Sequence, residues 1–220
     1  MSTSQVDIRA VAFDYGGVLA YFISKETISK MAKLAQVDYH PFNSSMWKFR
    51  HELDSGEYDN NRYWGAVLDD CNSPISREAH VTTLVEMDLR GFSKMNQGML
   101  CWANELKKCG IATIIISNMS QSTYQSLMVE QEWMRQFDTI VISGIIGINK
   151  PDKRIFNHAI EQTQLQAHEI LFLDDLPYNV EGAKKAGLHS LLFSNTDTLA
   201  QDLQKGFPNL PVEGLACSTS

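Results

Sequence analysis

The chain is poor in cysteine, in basic charge and in long apolar runs, and each shortage excludes something. Its four cysteines (Cys71, Cys101, Cys109, Cys217) show no C-x-x-C pair or other metal-ligand spacing. Neither a thiolate metal site nor a disulfide framework is expected, and free thiols in a reducing cytosol are. Lys and Arg number 19 against 26 Asp and Glu, a net charge of −7 with no basic cluster to offset it. That argues against nucleic acid as a main partner. The longest apolar run, Ile111 to Ile116, has strand length, well short of the ~20 residues a membrane span requires. The opening M-S-T-S-Q-V-D has neither the basic nor the apolar segment of a secretory signal, so a cytoplasmic protein is expected.

What is present is an alternation. Short apolar runs at Val11–Phe13, Ile111–Ile116, Thr139–Ser143, Glu169–Leu173 and His189–Phe193 read as buried strands. From residue 96 onward helix-like segments separate them, at 97–109, 120–128, 152–163, 179–186 and 197–204. Strands alternating with helices predict an α/β fold, a Rossmann-like parallel sheet covered on both faces. Residues 21–95 differ: Ile28, Met31 and Leu34 recur at helical spacing, and no strand pattern interrupts the block. His40-Pro41-Phe42-Asn43 reads as a helix breaker and Asp54 to Glu57 as a turn. The block is therefore expected to be an all-helical insertion (21–95) in a core built from 1–20 and 96–220. Trp47, Phe49, Tyr58, Tyr63 and Trp64 are expected to form its own core. The tail after Pro208 is expected to be loose.

The strand ends carry the chemistry. The first ends at Asp14, before Gly16-Gly17; the second at Ser117-Asn118; the fourth at Asp174-Asp175. In a parallel sheet these ends share one edge, which Lys150 can reach from its loop. Three crowded carboxylates repel one another unless a cation sits among them, and acidic oxygen ligands around a hard cation describe a magnesium site. Ser117, with the N–H groups of the next helix, suits a phosphate, and Lys150 can pair with Asp14 and a phosphate oxygen. Each residue alone has a plainer reading: a turn aspartate, an N-cap serine, a solvated lysine. Their conjunction points to phosphoryl transfer through an aspartyl-phosphate.

F-D-Y-G-G-V-L, I-I-I-S-N, K-P-D-K-R-I-F and F-L-D-D-L-P-Y-N-V-E-G-A-K-K-A-G resemble, in order, the four motifs of the haloacid dehalogenase superfamily. The resemblance spans Val11 to about Phe193 and implies that the insertion is the family's helical cap. It implies that Asp14 is nucleophile and metal ligand and that the carbonyl of Gly16 is a second ligand. Ser117 and the Asn118 amide would hold the phosphate, and Lys150 would stabilise it. Asp175 would bind Mg²⁺ directly, with Asp174 in its outer shell. The chain looks most like the Asp-x-Gly members that resemble sugar-phosphate phosphatases, which implies a small phosphorylated metabolite as substrate. Nothing in the sequence sets an oligomeric state.

One position departs from the pattern. Phosphatases of this family usually carry a second Asp, a general acid and base, where this chain has Gly16. Losing such help costs about 10²–10⁴-fold in rate. His40, His51 and Glu52 in the insertion are candidates to supply it. Two alternatives follow: a catalytically weak phosphate-binding or regulatory protein, and a 2-haloacid dehalogenase, which needs neither that acid nor a metal.

Overall fold

The computed structural model describes residues 7–217. Its centre is β1 (Ala10–Phe13), in a five-stranded parallel sheet of order β3-β2-β1-β4-β5. The other strands are β2 (Ala112–Ser117), β3 (Thr139–Ile142), β4 (Ile170–Asp174) and β5 (His189–Leu192). Phe13 lies opposite both Ile115 and Leu173, so the carboxyl ends of β1, β2 and β4 stand in register. Ala10, Ala12, Ile114 and Phe172 face α9 (Lys153–Thr163) and α10 (Pro177–Ala186), through Phe156 and Ala183. Val11, Phe13, Ile115 and Leu173 face the other way, toward Trp102 and Leu106 of α6 (Gln97–Lys108). Burial on both faces is why these strands read as unbroken apolar runs. A final helix, α11 (Thr196–Gly206), packs through Leu199 and Leu203.

Five helices fill the chain between β1 and α6: α1 (Lys25–Leu34), α2 (Tyr39–Lys48), α3 (Arg50–Asp54), α4 (Asn60–Asp70) and α5 (Arg77–Gly91). The segment leaves and rejoins the sheet side by side. The Tyr21 N–H donates to the Lys94 carbonyl at 2.9 Å, and the Asn96 N–H to the Leu19 carbonyl at 2.8 Å. A second contact fixes its far side. The Ser143 hydroxyl, at the start of α8 (Ser143–Ile146), donates to the Asp54 carbonyl at 2.6 Å. The Asn149 amide donates to the His51 carbonyl at 2.8 Å.

Several local expectations change. His40-Pro41 breaks no helix: α1 ends at Leu34, and Pro41 lies in the first turn of α2, where no donor is required. Asp54 is the last residue of α3 and is buried, not part of an exposed turn. Residues 143–146, expected as part of a strand end and loop, form α8, which Gly147 ends at φ +72°. Cys71, in a polar stretch of sequence, is buried. The tail through 217 is not loose: Leu210 and Leu215 are buried and the Trp102 indole donates to the Pro211 carbonyl at 2.7 Å. Among the described residues no helix is long and apolar enough to cross a membrane.

Candidate active site

Asp14 stands one residue past β1, its N–H still in the ladder to the Leu173 carbonyl at 2.9 Å. Gly17 then turns the chain at φ +80°, and a Cβ there would lie 2.6 Å from Cγ of Asp175 and 2.7 Å from the Phe22 ring. Glycine is thus needed twice at residue 17, for the backbone angle and for the approach of the second acid. Asp174 ends β4 and Asp175 follows it.

Lys150 arrives from the loop after α8, and Asn118 is what holds it. The Lys150 N–H donates to Asn118 Oδ1 at 2.7 Å, and Asn118 Nδ2 donates to the Lys150 carbonyl at 3.0 Å. The next peptide bond, to Pro151, is cis. The buried ammonium then meets Asp14 Oδ1 at 2.9 Å and Asp174 Oδ2 at 2.6 Å. Asp174 is further engaged by the Leu176 N–H at 2.9 Å and by Asn179 Nδ2 at 3.0 and 3.1 Å. Asp175 Oδ1, by contrast, is buried without a hydrogen-bond partner.

Asp14, Asp174 and Asp175 can each offer an oxygen within 4.8 Å of the others. Three carboxylates share a single ammonium, and the electrostatics register the surplus. Burial, the charge of Asp174 and that of Asp175 raise the Asp14 carboxyl well above its usual range, against the pull of Lys150. Asp175 is pushed up to about 6, by burial and by Asp174. Burial works against the Lys150 cation, but Asp14 and Asp174 outweigh it and its affinity for the proton rises. An orphaned buried oxygen inside an under-neutralised carboxylate triad is the donor set of a hard divalent cation.

The cluster opens into a cleft of about 650 Å³. The sheet edge contributes Asp14, Gly16, Ser117 and Lys150 to its lining; the inserted helices and their connections contribute Phe22, Trp47, Arg50, His51, Asp54 and Phe92. Ser117 is buried at the end of β2, and the N-cap of α7 (Gln121–Leu127) is Ser120, so the Ser117 hydroxyl is not spent as a cap.

A family model for haloacid dehalogenase-like hydrolases matches residues 8–187. The chain belongs to this family. A sesquiterpene phosphatase of Aspergillus oryzae is 27% identical over 193 residues, covering 87% of this chain and 92% of its own. A drimenol cyclase of Aspergillus calidoustus is 24% identical over 215 residues, 94% of this chain, which spans 38% of the cyclase's length. Among solved structures, a haloacid dehalogenase family enzyme of Bacteroides thetaiotaomicron in complex with magnesium and inorganic phosphate superposes with a TM-score of 0.68. It is 16% identical and covers 85% of this chain and 94% of its own.

In this hydrolase the sheet brings Asp14, Ser117, Lys150, Asp174 and Asp175 to one edge. The Asn118 side chain is committed to the Lys150 backbone. Of the insertion's candidates, His51 lines the cleft; His40 and Glu52 do not. Trp47 departs from expectation, since it is 40% exposed and lines the cleft, while Tyr63 and Trp64 are buried as core residues. Arg50 and Asp54 also line the cleft. Their spacing of four on one helix was the available signal in the sequence.

Proposed function

We propose that this haloacid dehalogenase-like hydrolase is a Mg²⁺-dependent phosphatase of a small organic phosphate. The observation that carries the reading is the meeting of Asp14, Lys150, Asp174 and Asp175 at one sheet edge, with Asp14 and Lys150 lining the cleft. Asp14 attacks phosphorus, forming an aspartyl-phosphate and releasing the alcohol; water then attacks that phosphorus, restoring Asp14 and releasing inorganic phosphate. Lys150 orients the Asp14 carboxylate and neutralises charge on the phosphoryl oxygens. Ser117 and the Asn118 N–H donate to those oxygens. Asp14, Asp175 and the Gly16 carbonyl would hold Mg²⁺, with Asp174 behind them, its oxygens already occupied by Lys150, Asn179 and Leu176. When bound, the cation supplies neutralising charge among the carboxylates and to the phosphoryl group.

The helices of 21–95 act as the cap that covers the site and shapes the substrate pocket. Phe22, Trp47 and Phe92 from that side meet Met119, Leu176 and Tyr178 from the core. So apolar a wall favours a phosphate ester of an apolar alcohol over a sugar phosphate, in keeping with a sesquiterpene phosphatase among the relatives. The test is phosphate release from a panel of alkyl, isoprenyl and sugar monophosphates with Mg²⁺. The expected result is turnover of the apolar esters that vanishes in Asp14→Asn. Tight phosphate binding with no turnover would instead indicate a binding protein, and metal-independent halide release from 2-haloacids a dehalogenase.

A further inference from the structure

Gly16 leaves the reaction without the family's usual proton carrier, and one further carboxyl, Asp54, lines the same cleft as Asp14. We propose that Asp54, delivered by α3 from the inserted segment, is the general acid and base of this hydrolase. The inference rests on the phosphatase reading above and adds a residue to it.

The placement comes from packing. Asp54 lines the same cleft as Asp14 and Lys150, with its side chain 12% exposed. Its backbone is pinned to the phosphate end: the Ser143 hydroxyl donates to the Asp54 carbonyl at 2.6 Å and accepts the Met119 N–H at 2.9 Å, two residues from Ser117. Where a side chain at residue 16 would begin, the Phe22 ring stands at 3.6 Å, so an apolar group borders the position of the missing acid.

The charge count gives Asp54 its proton. Arg50 is its partner and is shared. Nη1 of Arg50 binds both oxygens of Asp88, at 3.2 and 2.9 Å, whereas Asp54 receives only Nε on Oδ1, at 3.2 Å. Among the described residues no hydrogen bond reaches Asp54 Oδ2. Two carboxylates on one buried guanidinium leave one negative charge unmatched, and a proton on the less tightly held carboxyl removes it. A purely structural ion pair would have no use for the second acid. The groups facing Asp54 are Arg50 and Asp88, with Lys150 across the cleft and the Tyr63 ring behind Arg50. Burial is the largest influence and, with Asp88, outweighs the two cations, pushing the Asp54 carboxyl up to about 7, where a group can both give and take a proton.

The protons balance. In the first step Asp54 in its acid form protonates the leaving alkoxide oxygen as the P–O bond breaks and the Asp14 O–P bond forms. In the second, the Asp54 carboxylate takes a proton from the attacking water as the Asp14 O–P bond breaks, which restores both residues.

The test compares leaving groups in Asp54→Asn. Octyl phosphate needs a protonated leaving group; p-nitrophenyl phosphate does not. Turnover of octyl phosphate is expected to fall about 10²–10⁴-fold. With p-nitrophenyl phosphate a stoichiometric burst of nitrophenol should survive, and the aspartyl-phosphate should accumulate for want of a base. Equal losses on both esters, with no burst, overturn the proposal alone. Phosphate release that survives Asp14→Asn overturns it together with the phosphatase reading. Were Asp54→Asn to unfold, Asp88→Asn gives a second measurement. Arg50 is then left to Asp54 only, so the alkaline limb of octyl phosphate turnover should move to lower pH; an unmoved limb overturns the proposal.

Discussion

Two clusters reach the cleft, one through Asp14 and Lys150 and one through Arg50 and Asp54, and each sets several carboxylates near one cation. At the sheet edge Asp14 and Asp174 bind Lys150 with Asp175 beside them; on the helical side Asp54 and Asp88 share Arg50. The difference is the size of the surplus. Three acids on one ammonium leave two charges unmatched, which calls for a divalent cation, and Asp175 keeps an orphaned oxygen for it. Two acids on one guanidinium leave a single charge, which one proton removes. On the proposed reading, the same electrostatic problem is met by a metal on one wall and by a proton on the other.

The largest effect that would break the comparison is at Asp14. Asp14→Asn should cut phosphate release roughly 10⁴-fold or more while the fold persists, because on the proposed mechanism the nucleophile is lost while its neighbours lose a charge they carried in excess. Loss of activity with retained melting temperature is the expected pair of measurements.

Next is the guanidinium. Arg50→Met strands two buried acids at once and should destabilise the protein by about 3–5 kcal/mol in chemical denaturation. Asp88→Asn, which leaves one acid on one cation, should cost distinctly less. If the two variants lost equal stability, the charge count would not be what governs that cluster.

Smaller again is the metal. Mg²⁺ at a hundredfold excess over its dissociation constant should stabilise the folded chain by about 2.7 kcal/mol, read as a rise in melting temperature. Asp175→Asn should remove most of that rise. Asp54→Asn should leave it intact, since Asp54 belongs to the proton-bearing cluster.

Per pH unit, the smallest effect is a slope. With its carboxyl raised to about 7, Asp54 binds a proton in the folded state that the unfolded chain has already lost. Its contribution is therefore complete below the ordinary carboxylate range and is lost as pH rises from about 4 to about 7, by at most about 1.4 kcal/mol per pH unit. Denaturation midpoints across that window should fall more gently in Asp54→Asn, with or without Mg²⁺.

The site's sheet side was legible in the sequence and its helical side was not, for a physical reason. A strand buried on both faces shows as an apolar run, and a parallel sheet puts all its carboxyl ends on one edge, so residues as distant as Asp14 and Asp174 could be brought together from local pattern and topology alone. Gly17 and the grip of Asn118 on Lys150 then refine positions already fixed. A helical period, by contrast, says which residues share a face, not what that face meets. Trp47, on α2, and Asp54, at the end of α3, both face the cleft because of how the inserted helices dock, α3 against α8 among them. That contact joins Asp54 to Ser143, which lie 89 positions apart in the chain. Local pattern and topology suffice for the sheet, its edge and the acids on it. Which side of the inserted helices looks into the cleft, bringing Asp54 to its lining, follows from the packing of distant segments.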